Sequence, residues 1–118
     1  MSIPINKNHE DHIIVLETEE VIIPVATDRI WLVSIIGGET LVIFTIEKSL
    51  TLSRFKEKNL LELTSAGLIR INPDNYINPD YIRRYKIADK EVELLNGKTI
   101  PVSDEYSKNL LQYFNMYL

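Results

Sequence analysis

Short apolar runs rich in β-branched residues, separated by polar or glycine-containing breaks, occupy the first part of the chain. They fall at residues 12–16, 21–25, 30–36 and 40–46, and their length and composition predict four strands. Gly37-Gly38-Glu39 has the length and residue types of a tight hairpin connection between the last two. Pro24 has no N–H to give to a ladder, so 21–25 is expected at a sheet edge or interrupted there. Trp31 reads as a core residue of its strand.

The period then changes. From residue 51 to about 65, Leu52, Phe55, Leu60 and Leu63 can share one helical face while Arg54, Lys56, Lys58 and Glu62 point outward. Gly67 is placed to end that helix, and 68–71 resumes extended structure. A small repeat follows, Ile71-Asn72-Pro73-Asp74-Asn75-Tyr76 and then Ile77-Asn78-Pro79-Asp80-Tyr81, in which each Asn-Pro-Asp is a turn signal. It is too short for a solenoid. Residues 82–87 and 91–95 read as a further pair of strands, and Asn96-Gly97 as a type I′ turn into 99–102. Ser103 suits a helix N-cap, Asp104 and Glu105 suit the positive end of the helix dipole, and Tyr106, Leu110, Leu111 and Phe114 form the expected buried stripe. The aromatic tail at 113–118 is expected to pack on the domain or on a partner. The fold class is mainly β (α+β), with one or two short helices.

Composition narrows the setting. The chain has 118 residues, 45% hydrophobic and 25% charged, which fits one folded domain at 12–118 behind a loose polar arm at 1–11. Cysteine is absent, excluding thiol chemistry, thiolate metal sites and disulfides. No apolar run reaches the roughly 18 residues of a membrane span, and the start lacks the features of a secretory signal, so a cytoplasmic location is expected. The initial Met favours a stand-alone protein over an excised fragment. The formal net charge of -4 argues against a generic polyanion binder. Most of the acidic excess lies before residue 29, and a basic face needs Arg83, Arg84, Lys86, Lys90, Lys98 and Lys108 to converge.

Catalytic chemistry finds little footing. His9-Glu10-Asp11-His12 is one residue short of the helical His-Glu-x-x-His arrangement and has no third fixed ligand, so it reads as a solvated tail and no metal is expected. Asp74 and Asp80 each hold a Pro-turn position that favours Asp for its local hydrogen bonds. No phosphate loop, Ser-His-Asp grouping or nucleophile elbow is present, so neither an enzyme nor a cofactor is expected. Arg83-Arg84-Tyr85-Lys86 reads first as a solvated strand paired across to Glu91 or Glu93.

Several segments, in order, resemble the LytTR-type DNA-binding domain of bacterial transcription regulators. Leu68-Ile69-Arg70-Ile71-Asn72-Pro73-Asp74-Asn75-Tyr76-Ile77-Asn78 is similar to a family stretch of Phe, any residue, Arg, apolar, His, Arg or Asn, Ser, two large residues, Val, Asn. Leu94-Leu95-Asn96-Gly97-Lys98-Thr99-Ile100-Pro101-Val102-Ser103 looks like its closing hairpin. Residues 21–32 resemble its opening strands, and 47–63 stands where the family has a short helix. The resemblance implies an elongated antiparallel β-fold whose loops enter the DNA major groove. The base-reading places it implies are residues 37–39, Asn72-Pro73 and Asp104. Here Asn72 replaces the usual His, Pro73 the Arg or Asn, and Asp104 the Arg.

The contact residues so implied are Asn72 on a base edge, Lys90, Lys98 and Lys108 on phosphates, and Asp74 and Ser103 beside them. Arg70 is open between a phosphate contact and holding the adjacent loop. The implied partners are duplex DNA, a second copy on paired half-sites, and a separate sensor or regulator protein. A second functional reading is a protein-interaction module of the same fold that has lost DNA binding, motivated by the acidic charge, Pro73 and Asp104.

Overall fold

In the computed structural model the described residues are 13–117. The expected arm at 1–11, the histidine and acid group at 9–12, and Leu118 lie outside them. The described elements are β1 (Ile13–Glu17), β2 (Ile22–Ala26), β3 (Ile30–Ile36), β4 (Thr40–Thr45), β5 (Ser49–Ser53), α1 (Glu57–Ser65), β6 (Ile69–Asn72), β7 (Asn75–Ile77), β8 (Ile82–Lys86), β9 (Glu91–Leu94), β10 (Thr99–Pro101) and α2 (Asp104–Tyr117), with 3-10 turns at Thr27–Arg29 and Pro79–Tyr81. They build three antiparallel sheets, ordered β1-β2, β5-β4-β3-β7-β6 and β10-β9-β8. The radius of gyration is 14.8 Å, above the about 13.5 Å of a compact domain of this length. The molecule is elongated.

The five-stranded sheet carries a core on each face. Leu16, Val25, Val33, Leu41, Leu52 and Leu63 belong to the first, under the β1-β2 hairpin and α1. Leu32, Ile71, Ile77, Val92, Leu94 and Leu110 belong to the second, under the three-stranded sheet and α2. β3 serves both. Two residues apart on a regular strand share a face, yet Ile30 packs in the first core and Leu32 in the second. The β3-β4 register shifts between these two residues, and that irregularity turns Ile30 over.

Three expectations need correction. Residues 51–53 are strand, not helix: Ser49-Leu50-Thr51-Leu52-Ser53 alternates with period two, and Leu52 lies buried opposite Leu41. Arg54, with φ 55°, breaks the strand before α1 begins at Glu57. Trp31 is half-buried at the margin of the second core, its ring 5.4 Å from Phe44 and its indole N–H donating to the Thr45 carbonyl. On α2, Leu110 is fully buried but Leu111 is exposed, because the helix rests chiefly on the single strand β6. Pro24 does lie on an edge, since β2 pairs with β1 alone.

Buried Asn59 on α1 docks the hairpin. Its Oδ1 accepts from the Glu17 N–H at 3.0 Å, and its Nδ2 donates to the Glu17 carbonyl at 2.7 Å. At the same end of the sheet as the start of β3, Asn78 Nδ2 donates to the carbonyls of Thr27 and Ile30, beside a cleft lined by Asp28, Tyr113 and Met116.

The basic strand β8 is paired as its alternation suggests. Arg84 Nε donates to Glu93 Oε1 at 2.9 Å, Arg83 reaches Glu93 at 3.4 Å, and Lys86 lies 3.3 Å from Glu91. The Arg84 hydrogen bond leads in holding the buried Glu93 carboxyl below its ordinary value of 4.5, against the opposing effect of burial. A lowered folded value means that this stabilisation is complete above pH 4.5 and is lost as pH falls through the lowered value. Melting temperatures of wild type and Glu93→Gln should therefore differ most above pH 4.5 and converge in acid. A gap that stays constant with pH would assign the loss to packing instead of charge.

Candidate nucleic-acid interface

Backbone hydrogen bonds tie five connections together at one end of the molecule. The β3-β4 turn at 37–39 is made by Gly37 and Gly38, whose φ angles of 63° and 78° suit residues without a Cβ. The Phe55 N–H donates to the Glu39 carbonyl at 3.2 Å, placing Arg54 beside this turn. The Ile35 N–H donates to the Asp74 carbonyl at 2.7 Å, which brings in the β6-β7 turn. The Ser103 N–H donates to the Ile71 carbonyl and the Val102 N–H to the Lys90 carbonyl, adding the β10-α2 junction and the β8-β9 turn. From Arg54, just past the end of β5, to the end of β6 is four strand spacings, about 19 Å.

Asn72 is the cross-link among these connections. Its Nδ2 donates to the Pro101 carbonyl at 2.7 Å, and its Oδ1 accepts from the Asp74 N–H at 2.9 Å and from Asn75 Nδ2 at 3.1 Å. The side chain is buried and its amide is directed inward. Arg70 holds the same loop: Nη2 donates to the Pro73 carbonyl at 2.7 Å, and the guanidinium lies 5.3 Å from each of the Tyr76 and Tyr106 rings. Of the two roles open for Arg70, the loop-holding one is the contact that is made.

Asp74 is exposed on the β6-β7 turn. Lys90 is exposed at the edge of this end, with Nζ 2.8 Å from Asp104 Oδ1, and that hydrogen bond raises the lysine above its ordinary value. Lys108 is exposed one helical turn beyond Asp104. Ser103 stands at the start of α2, but its buried Oγ has no hydrogen-bond partner among the described residues, so the expected side-chain cap is not made. Lys98 lies apart, since its turn follows β9 while the Lys90 turn precedes it. Residues 37–39, Asn72-Pro73 and Asp104 do come together, whereas Arg83, Arg84 and Lys86 are committed to glutamates on β9.

Sequence reasoning missed Arg54. Among the described residues, Arg54 and Lys90 are the non-glycine residues with positive φ, at 55° and 54°. Both are basic, both are exposed, and both flank the gathered turns. Such backbone costs of the order of 1–3 kcal/mol and clusters at binding sites. The period-two run ending at Ser53 was the available signal for Arg54, and the apolar spacing of Leu52 and Phe55 masked it as helix.

The LytTr DNA-binding domain family matches residues 20–115. This chain belongs to that family. A solved structure of the same fold is the LytTr DNA-binding domain described for a methyl-accepting/DNA response regulator from Bacillus cereus. It is 18% identical, with a TM-score of 0.63 over 86% of this chain and 94% of that one. No curated protein matches the chain. The three antiparallel sheets and two helices described above are thus the LytTr fold. Among its described residues no helix is long and apolar enough to cross a membrane.

Proposed function

We propose that this LytTr domain binds duplex DNA through the end where its turns gather, as a transcription regulator. The observation that carries the reading is the hydrogen-bonded convergence of turns 37–39 and 73–74 with the β10-α2 junction. From Arg54 to the end of β6 the row is about 19 Å long by strand spacing, the β10-α2 junction and the β8-β9 turn extend it further, and the major groove is about 12 Å wide. The middle connections, including Asp74, therefore enter the groove while Arg54 at one end and Lys90 and Lys108 at the other reach flanking phosphates. Asn72 positions the loop, and Ser103 joins β10 to α2 through its backbone. Lys98 makes no contact in this arrangement. A cytoplasmic protein acting as a homodimer on paired half-sites, under a separate sensor or regulator, is the setting that fits this activity. The reading as a protein-interaction module without DNA binding draws nothing from the family match or the fold.

Fluorescence anisotropy with a mixed pool of short duplexes tests the reading. Binding should weaken steeply with log salt, and Arg54→Ala, Lys90→Ala and Lys108→Ala should each lower the slope by about 1. Lys98→Ala should leave it unchanged. A fall with Lys98→Ala and none with the other three would move the DNA onto the opposite end of the three-stranded sheet. Absence of binding at low salt by a folded protein would end the proposal.

A further inference from the structure

At the pole remote from the gathered turns, where β3 begins and β4 ends, the β4-β5 turn and the β9-β10 turn wall an open groove. Trp31, Ile46, Tyr81, Leu95 and Asn96 line its volume of about 380 Å³. Ile46 and Leu95 are large aliphatic side chains, yet they are 58% and 50% exposed. Neither stands on a loose segment. The Ile46 N–H donates to the Arg29 carbonyl at 2.9 Å and the Leu95 N–H to the Tyr81 carbonyl at 2.8 Å, while Arg83 Nη2 donates to the Leu95 carbonyl at 2.9 Å. The Trp31 indole N–H donates to the Thr45 carbonyl and the Tyr81 hydroxyl to the Asp28 carbonyl, so what both rings still offer is apolar surface. A preformed apolar concavity of this kind is what seats an anchor side chain at an interface.

The unpaired charge on its walls has one sign. Among the described residues, Lys48, Arg54, Lys98 and Lys108 are the cationic side chains with no salt bridge, hydrogen bond or ring contact. Arg54 and Lys108 belong to the gathered turns. Lys48 and Lys98 are exposed at this pole, each two residues beyond a groove-lining residue, Ile46 on one wall and Asn96 on the other. Glu47, beside Lys48, is taken by Arg29 at 2.8 Å, and Asp28 and Asp80 line the separate cleft beside Tyr113 and Met116.

We infer that this groove is the docking site for an acidic segment of a partner protein, which inserts one large apolar side chain against Trp31 and sets carboxylates against Lys48 and Lys98. Apolar burial supplies the affinity, and the two lysines select the sign of what flanks the anchor. A phosphate backbone would match the lysines and leave the apolar walls between them uncovered. A partner seated here leaves the gathered turns free.

Selection of short tryptophan-free peptides from a displayed random library, on the full chain and counter-selected on Leu95→Ser, tests this. Trp31 is the chain's single tryptophan, so its emission reports occupancy directly. Selected peptides should carry Phe, Leu or Ile with Asp or Glu on both sides and should shift that emission to shorter wavelength. They should bind Ile46→Ser and Leu95→Ser at least about tenfold more weakly, while both variants keep the wild-type affinity for DNA. In the double variant Lys48→Glu/Lys98→Glu the preferred flanking residues should change from acidic to basic. Peptides without a charge preference, or none that depends on Leu95, would overturn the inference. A duplex that shifts Trp31 emission as it binds would assign the groove to DNA, and a wild-type dimer that sediments as a monomer in Leu95→Ser would assign it to a second copy. Either result overturns the inference. Melting curves check that the exposed substitutions leave the fold intact.

Discussion

Asn72→Ala should lower the unfolding free energy by about 2–4 kcal/mol and weaken binding to all duplexes alike. Truncation leaves the Pro101 carbonyl, the Asp74 N–H and the Asn75 amide without the partners that Asn72 gives them. Each buried polar group so orphaned costs about 1–3 kcal/mol, and partial hydration of the exposed turn returns some of this. The same bonds hold the β6-β7 turn against the β10-α2 junction, so their loss lets the two drift apart in the groove. Affinity then falls without a change in base preference, because no base contact is removed. Urea unfolding and anisotropy against several duplexes measure both effects. Full stability combined with an altered base preference would instead make Asn72 a base reader.

Asn59→Ala should be of comparable size, again about 2–4 kcal/mol, since it strands the N–H and C=O of Glu17 at the edge of β1. Asn59→Leu fills the volume and restores neither bond, so it should be destabilised nearly as much. Salt bridges from Lys56 and Lys58 to Glu17 remain in both variants but are partly exposed and compensate little. Native-state hydrogen exchange should show β1 and β2 amides losing protection while β8 and β9 keep theirs, because the hairpin lies on the first core and β9 on the second. A leucine variant as stable as wild type would show that Asn59 acts through its bulk.

Most strands were legible because alternation and turn chemistry agree along the chain. Asn96-Gly97, Gly37-Gly38 and the two Asn-Pro-Asp turns each fall where a strand ends or a 3-10 turn begins. The segment at 49–55 was not legible, because Leu52 and Phe55 satisfy a helical spacing as well as they satisfy a strand followed by a break. What decides between them is the pairing of β5 with β4, a non-local fact. The candidate interface was legible as a set of segments and not as roles. Asn72 has the chemistry to read a base, and only the nearness of Pro101, 29 residues away in sequence, turns its amide inward. Lys98 and Lys90 look equivalent as charges, but a four-residue strand lies between their turns.

The cleft at the far end gives the molecule a direction. Ile13 pairs with Ala26 just before the Thr27–Arg29 turn, so the chain comes into the fold beside that cleft. α2 leaves the β10 junction at Asp104 and runs its 14 residues back to the same cleft, where Tyr113 and Met116 line it. Both tethers are therefore anchored at the pole remote from the gathered turns. A tag, a linker or a second folded unit attached at either end of the described domain would start from that pole, with the gathered turns clear of both attachment points.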